Sequence, residues 1–160
     1  AIAPRTDRLV VDTSKAALSQ LITAPSWPVH LLRLDQREAE LSAGRRLETV
    51  EDSLAHAEEL IARGVAHIVA GGRGAEGSIL VAEKQRFFCR APEVSVRSKI
   101  GAGDAFTGAL TFALSQDLPP DQALRWGVAA ASATVQTEGT ALFEADAVRA
   151  QLEQCAVQGV

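Results

Sequence analysis

The segment with the densest chemical signal is a glycine-rich turn that ends on a carboxylate, Gly101-Ala102-Gly103-Asp104. Glycines let the backbone approach a ligand closely, and the residues after the turn have a helical pattern. The free N–H groups and the positive dipole end of a helix start form an anion site. A carboxylate there would repel a simple anion, but it suits a base that takes a proton from an attacking hydroxyl. The pattern therefore predicts a phosphoryl-transfer centre.

A second glycine-rich loop, Gly-Arg-Gly-Ala-Glu-Gly at residues 72–77, follows a strand that we predict to end at Ala70. Loops at the carboxyl ends of parallel strands are where α/β sheets bind nucleotides. No Gly-Lys-Ser or Gly-Lys-Thr follows, so the loop is not a P-loop. The alternative for the first turn is a purely structural one with Asp104 as an ordinary helix N-cap. The presence of the second loop favours the catalytic interpretation.

The elements that must position these loops alternate along the first seventy residues. Short apolar runs predict strands at 9–12, 29–34 and 67–70. Helical patterns lie between them: one after Thr13-Ser14, a short one at 38–43, and one that opens on a Thr49–Asp52 capping box and ends at Gly64. This order predicts a parallel sheet with helices on its faces.

The alternation of strands and helices ends at residue 77. Two short strands at 78–82 and 86–89 predict a hairpin appended to the sheet. From Asp104 onward the pattern predicts only helices, at 105–114, 119–135 and 144–155. Because a buried parallel strand needs neighbours on both sides, and little chain precedes the first strand, we expect the sequence to begin inside a larger domain.

Composition narrows the classes of partner. The chain has 160 residues and a net charge of −4, which offers no basic field for nucleic acid. No apolar run reaches the length of about 18 residues that a membrane helix needs. Cys89 and Cys155 lack metal-site spacing, which favours reduced thiols in a cytoplasmic protein. His30, His56 and His67 are far apart, and we expect them at the surface or at strand ends.

Five segments, taken in order, resemble the ribokinase-like carbohydrate kinases of the PfkB family. The resemblance covers essentially the whole chain, and its most specific part is the signature STVGAGDxxxG. The Asp12-Thr13-Ser14 segment points to the phosphofructokinase and tagatose-6-phosphate kinase branch. The segments are 11–18 (VDTSGEAL in the family), 33–38 (KPNxxEL), 72–77 (SLGxxG), 98–108 (STVGAGDxxxG) and 127–140 (AVAAGSAAxxxxGT).

The resemblance implies a ribokinase-like three-layer α/β/α fold with a mostly parallel sheet, an appended β-hairpin and a helical C-terminal portion. It places residues 1–160 as the nucleotide-binding and catalytic C-terminal half of an incomplete carbohydrate kinase domain. The implied activity is ATP-dependent phosphoryl transfer to a sugar-phosphate hydroxyl, of the 1-phosphofructokinase or 6-phosphofructokinase type. It also implies a cytoplasmic homodimer in the full-length enzyme and an inactive isolated fragment, with no nucleic-acid or membrane partner.

The resemblance also implies roles for particular residues. Asp104 would be the catalytic base, and Gly101, Ala102 and Gly103 would form the anion hole. The implied ATP-binding residues are Arg33, Asp35, Gly72, Arg73, Gly74, Ala75, Glu76, Gly77, Val96, Ser98, Val128 and Ser132. Glu38 would hold magnesium through water. Some members bind a monovalent cation such as potassium, and the corresponding residues are Ser98, Ile100, Thr134, Thr137 and Gly139.

Several positions depart from the family pattern. Arg33 and Asp35 replace a Lys and an Asn, Gly72 replaces a Ser, and Lys99 replaces a Thr. These changes motivate a second hypothesis, a nucleotide-binding module of this fold with weak or no catalysis. A third, an NAD-binding Rossmann domain, predicts a glycine fingerprint after the first strand, where residues 13–16 contain no glycine.

Overall fold

The computed structural model describes residue 6 and residues 8–141 and 143–160. The chain divides into two compact units. The first comprises residues 1–73 and 79–86, and the second comprises residues 74–78 and 87–160. Each unit is described by itself below.

The centre of the first unit is a parallel sheet of three strands, β1 (Val10–Asp12), β2 (Val29–Leu34) and β3 (Ala66–Gly72). Strand β2 has the predicted bounds, and its leucines are at most 1% exposed. A strand buried on both faces is typical of a parallel sheet. The register aligns the carboxyl ends, with Asp12 opposite Arg33 and Arg33 opposite Ala70.

Three helices belong to this unit: α1 (Lys15–Thr23), α2 (Gln36–Ala43) and α3 (Val50–Ala62). The predicted capping box opens α3, because the Thr49 hydroxyl accepts from the Asp52 N–H at 3.0 Å and the Asp52 carboxylate accepts from the Thr49 N–H at 3.0 Å. The hydroxyl of Thr49 also donates to that carboxylate. Hydrogen bonds from Thr49, aided by Arg45, lower the pKa of Asp52 to about 2.

His56 corrects one expectation. It lies on α3 and is 3% exposed, so it is neither a surface nor a strand-end histidine. Its Nε2 hydrogen-bonds the Ser42 hydroxyl at 2.7 Å. Burial lowers the pKa of His56, although Glu59 opposes that shift. The helical pattern places position 56 on the buried side beside Leu54, Ala57 and Leu60, and Ser42 compensates for the loss of water around the ring.

After a 3₁₀ turn at Gly74–Glu76, the chain forms β4 (Gly77–Ala82) and β5 (Gln85–Arg90), as the predicted hairpin requires. The helices α4 (Ala102–Ser115), α5 (Pro120–Thr134) and α6 (Ala145–Gln154) follow. The strands are hydrogen-bonded in chain order, β1 to β6. Since four residues join β3 to β4, those neighbours can only run antiparallel, and the sheet is mixed.

The strand β6 (Ala156–Gly159) corrects the prediction of an entirely helical C-terminal portion. It pairs antiparallel with β5, with Arg90 opposite Ala156 and Phe87 opposite Gly159. The helical pattern ends at Gln154, and the last residues gain their hydrogen bonds from a strand some seventy residues earlier in the chain. Such a pairing leaves no mark on the local sequence.

Packing between helices holds the second unit together. The Phe106 ring of α4 lies so close to Gly127 of α5 that a Cβ at this glycine would stand 2.9 Å from it. Arg125 joins α5 to the end of α6 by donating to the carbonyls of Leu152 and Cys155. Cys155 and Cys89 are both free and buried. Their side chains share a hydrogen bond, which with burial raises the pKa of the Cys89 thiol.

Candidate active site

A largely apolar cavity of about 420 Å³ lies wholly within the second unit. Its volume is in the range of small-molecule pockets, roughly 300–1,000 Å³. Its walls come from the loop before β4, the segment after β5, the start of α4 and one side of α5. The lining residues are Gly74, Ala75, Gly77, Ser78, Ala91, Pro92, Glu93, Val94, Val96, Lys99, Ala102, Val128, Ala131, Ser132 and Val135.

The start of α4 borders this cavity through Ala102. Its N-cap is Gly101, whose φ of 78° lies in the left-handed region that glycine adopts without strain. The Gly101 carbonyl accepts the Ala105 N–H at 2.8 Å, so the amides of the three residues between them have no acceptor within the helix. The Ala102 amide makes a long bond of 3.4 Å to the Lys99 carbonyl. The turn therefore presents N–H groups at the positive end of a 14-residue helix.

Asp104 is the third residue of α4, and its side chain is exposed. The carboxylate makes no hydrogen bond or ion pair with any residue that the structure describes. Because Gly101 is the N-cap and no side chain caps the helix, Asp104 does not have the ordinary capping role that was the structural alternative. Within the described part of the chain, nothing would compete with a ligand for this carboxylate.

The glycine-rich loop contributes Gly74, Ala75 and Gly77 to the cavity. A Cβ at Gly77 would stand 2.1 Å from the Cys89 carbonyl oxygen, so only glycine fits this close approach of two backbones. The neighbouring Glu76 carbonyl accepts the Ala91 N–H at 3.3 Å. The loop is thus fixed against the segment after β5, and both line the same cavity.

The structure brings the predicted residues Val96, Val128 and Ser132 together in the cavity wall. Ser98, also predicted, is not among the lining residues. Its hydroxyl accepts the Ile100 N–H at 3.2 Å. The Val135 carbonyl at the end of α5 accepts the N–H groups of residues 97 and 98. The segment that leads into α4 is therefore tied to α5.

Of the predicted monovalent-cation residues, Ser98 and Ile100 lead into the 101–104 turn and Thr134 lies beside it. The Thr134 methyl carbon would be 3.8 Å from a Cβ at Gly101. The Thr134 hydroxyl donates to the Ala130 carbonyl at 2.8 Å, and the Thr137 hydroxyl donates to the carbonyls of Thr134 and Ala141 at 2.8 and 2.9 Å.

Other predicted ATP-binding residues belong to the first unit. Arg33 Nη1 pairs with Asp12 Oδ2 at 3.5 Å, and the buried Arg33 Nε has no hydrogen-bond acceptor among the described residues. Gly72 lies beside this guanidinium, with Nη2 3.8 Å from the place of a Cβ. The strand register brings the three residues to one edge of the parallel sheet.

Asp35 and Glu38 form a reciprocal capping box at the start of α2. The Asp35 carboxylate accepts the Glu38 N–H at 2.7 Å, and the Glu38 carboxylate accepts the Asp35 N–H at 2.8 Å. Within the described residues no group of three His, Cys, Asp or Glu side chains could hold a metal ion by itself. Glu38 is engaged through one carboxylate oxygen in the capping box, and the role of holding magnesium through water, which the resemblance implies for it, stays a prediction.

Arg73 has a different environment from the rest of its loop. It is 6% exposed, and its guanidinium donates to the carbonyls of Leu47, Glu48 and Thr49 at 2.9–3.1 Å and to the Ser53 hydroxyl. Its side chain therefore stabilises the first unit. A nucleotide contact at this position would come from the main chain.

Much of the cavity wall has no signature in the sequence. Residues 91–94 carry no recognisable motif, and Ala131 and Val135 lie in the 127–140 segment but were not among the predicted site residues. Lys99 stands out only as a replacement for the family's Thr.

The chain is similar to a family model and to several known proteins. A model of the pfkB family carbohydrate kinases matches residues 3–147. The 1-phosphofructokinase of Escherichia coli strain K12 is 29% identical over 150 residues, which is 94% of this chain and 47% of that protein. The ATP-dependent 6-phosphofructokinase isozyme 2 of Mycobacterium tuberculosis is 34% identical over 148 residues, 92% of this chain and 42% of that protein. The chain thus spans about half the length of these relatives.

Solved structures confirm the predicted fold. Phosphofructokinase-2 from E. coli in complex with potassium matches with a TM-score of 0.84 and 28% identity, over 92% of this chain and 47% of that one. Arabidopsis thaliana ribokinase complexed with ribose and ATP matches with a TM-score of 0.76 at 23% identity, over 91% and 47%, which shows the fold alone. Another match is a tetrameric inhibited form of the E. coli phosphofructokinase-2. In the described part of the chain, no helix is long and apolar enough to cross a membrane.

Proposed function

Because the chain belongs to the pfkB family of carbohydrate kinases, we propose that the full-length protein transfers the γ-phosphoryl group of ATP to a hydroxyl of a phosphorylated ketohexose. The candidate acceptors are fructose 1-phosphate and fructose 6-phosphate, in keeping with the two kinds of phosphofructokinase among its relatives. Residues 1–160 are the catalytic half in this proposal, and by themselves they are inactive because the relatives are twice as long.

The observation that carries the proposal is the start of α4, where an exposed Asp104, unengaged among the residues that the structure describes, follows amides that have no acceptor in the helix. In the reaction, the Asp104 carboxylate takes the proton of the sugar hydroxyl. The hydroxyl oxygen bonds to the γ-phosphorus while the bond from that phosphorus to the β–γ bridging oxygen breaks, and ADP leaves. The amides of Gly101, Ala102 and Gly103 stabilise the charge on the transferred group.

The cavity beside this turn suits the rest of the nucleotide. Its apolar walls can cover a base and a ribose, and the glycine-rich loop presents backbone from Gly74 to Gly77. Arg33, Asp35, Gly72 and Glu38 lie in the other unit, and they enter this proposal through the family resemblance alone.

Magnesium is the implied cofactor, and it would neutralise phosphate charge when bound with ATP. Glu38, with Asp35 beside it, would hold the ion through water. Potassium would be a further cofactor, bound by backbone carbonyls around Ser98, Ile100, Thr134, Thr137 and Gly139. The homodimer and the cytoplasmic location of the full-length protein stay predictions, and the tetrameric relative shows another assembly in this family.

One observation favours the alternative of a weakly active nucleotide-binding module. The Arg33 guanidinium is paired with the Asp12 carboxylate at 3.5 Å. A phosphate would have to compete with this carboxylate for the arginine. Tight ATP binding with no sugar-dependent turnover would support this alternative.

The test is ADP formation by the full-length protein with magnesium and ATP, in the presence of fructose 1-phosphate, fructose 6-phosphate, tagatose 6-phosphate or no sugar. We expect one of these sugar phosphates to raise ADP formation at least about a hundredfold over the sugar-free rate. Unchanged ADP formation with every sugar phosphate, in a protein that binds ATP, would contradict the kinase assignment.

A further inference from the structure

Lys99 is a charged residue in the wall of the apolar cavity. The proposed function gives this residue no role. Among the residues that line this cavity, the ionisable ones are Lys99 and Glu93. The Lys99 ammonium makes no hydrogen bond or ion pair with any residue in the described part of the chain. A cation without a partner in a pocket wall is available to a ligand.

The backbone holds Lys99 close to the phosphoryl-transfer turn. Its carbonyl accepts the Ala102 N–H at 3.4 Å, and Arg97 and Ser98, the two residues before it, donate their N–H groups to the Val135 carbonyl at 2.8 and 3.2 Å. Lys99 thus lies between the end of α5 and the first amides of α4. An anion at those amides would be within the electrostatic range of its ammonium.

We infer that Lys99 is a nucleotide-positioning residue whose ammonium binds the phosphate chain of the nucleotide, so that the cavity selects nucleoside di- and triphosphates over nucleosides. This inference rests on the proposed function. A lysine acts as a mobile point charge with three donors, which suits a phosphate chain that changes during the reaction. The family's Thr at this position has a short neutral hydroxyl, so the charge is a property of this chain.

The experiment measures dissociation constants of ATP, ADP and adenosine by calorimetry, with the full-length protein and without sugar. The variants are Lys99→Met, which keeps a similar length without charge, and Lys99→Arg, which keeps the charge. The matched control is Arg97→Met, because Arg97 is two residues away, exposed and paired with Glu138 at 3.2 Å. Thermal unfolding of each variant checks that the fold is retained.

We expect Lys99→Met to weaken ATP and ADP binding about tenfold or more, as for loss of a charge-assisted hydrogen bond, and to leave adenosine binding unchanged. Added salt should weaken ATP binding less in Lys99→Met than in the wild type. Lys99→Arg should retain most of the affinity, and Arg97→Met should bind as the wild type does.

Three results would overturn the inference: unchanged ATP binding in Lys99→Met, an equal loss for adenosine, or an equal loss in Arg97→Met. Each of them leaves the kinase proposal standing, because the wild type would still bind ATP. A wild-type protein that binds neither ATP nor adenosine would instead contradict the proposed function, and the Lys99 inference would fall with it.

Discussion

Two helix starts in this chain use acidic residues in opposite ways. At α2, the carboxylates of Asp35 and Glu38 are both engaged, each accepting the backbone N–H of the other residue. At α4, the N-cap is a glycine, and Asp104 occupies the third helical position with its carboxylate unengaged among the described residues. Both helix starts therefore have acidic residues in the first turn. The carboxylates of Asp35 and Glu38 accept backbone N–H groups, whereas the carboxylate of Asp104 leaves the N–H groups of its turn without this partner.

The two helix starts differ in which groups they leave available to a ligand. The capping box at α2 engages one oxygen of each carboxylate with a backbone N–H group, so those oxygens and amides are not open to a ligand, and only the remaining oxygens could serve the water-mediated role proposed for Glu38. Gly101 supplies the backbone shape of a cap without a side chain, so amides and carboxylate stay available together. A catalytic interpretation of an acidic helix start should therefore ask what the N-cap residue is before asking where the acid lies.

The largest difference between the α2 and α4 regions should appear in kcat when one glycine of each, Gly44 or Gly101, is replaced by alanine. Gly44, at the end of α2, and Gly101 both have positive φ, 66° and 78°, and at neither position would an added Cβ have an atom within 3.4 Å. Gly101→Ala and Gly44→Ala should each lower the free energy of unfolding by about 1–2 kcal/mol. Only Gly101→Ala should also lower kcat, by about tenfold to a hundredfold, because the amides of the turn move.

Chemical denaturation and steady-state kinetics of the two variants provide the check. Gly44→Ala is the matched control, since it carries the same backbone strain away from the turn. If both variants kept wild-type kcat, the shape of the 101–104 turn would have no part in turnover.

The sequence was informative wherever the determinant is local. The Thr49–Asp52 capping box and the run of β2 are encoded within a few residues, and both are confirmed. Strand β6 was missed because its hydrogen bonds come from β5, far away in the chain. The buried place of His56 was not predicted, because its hydrogen-bond partner Ser42 comes from another helix, fourteen residues earlier in the chain.

A smaller effect, on the free energy of unfolding, should distinguish Asp35 from Asp104. Asp35→Ala removes the cap of α2 and leaves Glu38 without its reciprocal partner, so the free energy of unfolding should fall by about 1 kcal/mol. Asp104→Ala removes no hydrogen bond of the described structure. In moderate salt, which screens the helix dipole, it should change the free energy of unfolding by no more than about 0.3 kcal/mol.

Denaturant titration of Asp35→Ala, Asp35→Asn and Asp104→Ala measures this contrast. Asp35→Asn is the control, because asparagine caps as well as aspartate and should keep most of the stability. If the free energy of unfolding fell as much in Asp104→Ala as in Asp35→Ala, Asp104 would stabilise its helix start, which would contradict the contrast.

The smallest effect concerns a third acidic helix start, at α3. Hydrogen bonds from Thr49 lower the pKa of Asp52 from 3.8 to about 2 in the folded protein. Its ionised form therefore stabilises the fold fully above pH 3.8, and this contribution is lost as the pH falls through about 2. The stability difference between wild type and Asp52→Asn should shrink between these two pH values, as unfolding curves would show. A difference independent of pH in this range would contradict the assignment.

The sequence indicated two of the segments that border the cavity, the glycine-rich loop and the start of α4, but not how each of their side chains acts. The glycine spacing at 101–104 indicated the helix start that the structure has. Arg73 stands in a glycine-rich loop, and nothing local shows that the carbonyls of residues 47–49 converge on its guanidinium. Lys99 gains its place in a cavity wall from α5, which begins some twenty residues later. A sequence motif does not show which partners a side chain will find in distant segments.

The central claim is that the unengaged carboxylate of Asp104 is the base of phosphoryl transfer. The most direct measurement compares single-turnover ADP formation and ATP affinity in Asp104→Asn and Asp121→Asn variants of the full-length protein, with the accepted sugar phosphate. Asp121 is the matched control, because it lies in the first turn of α5 and accepts from the Gln122 amide at 3.1 Å. We predict that Asp104→Asn loses turnover by about a hundredfold or more with ATP affinity retained, while Asp121→Asn keeps wild-type turnover. Wild-type turnover in Asp104→Asn would contradict the claim.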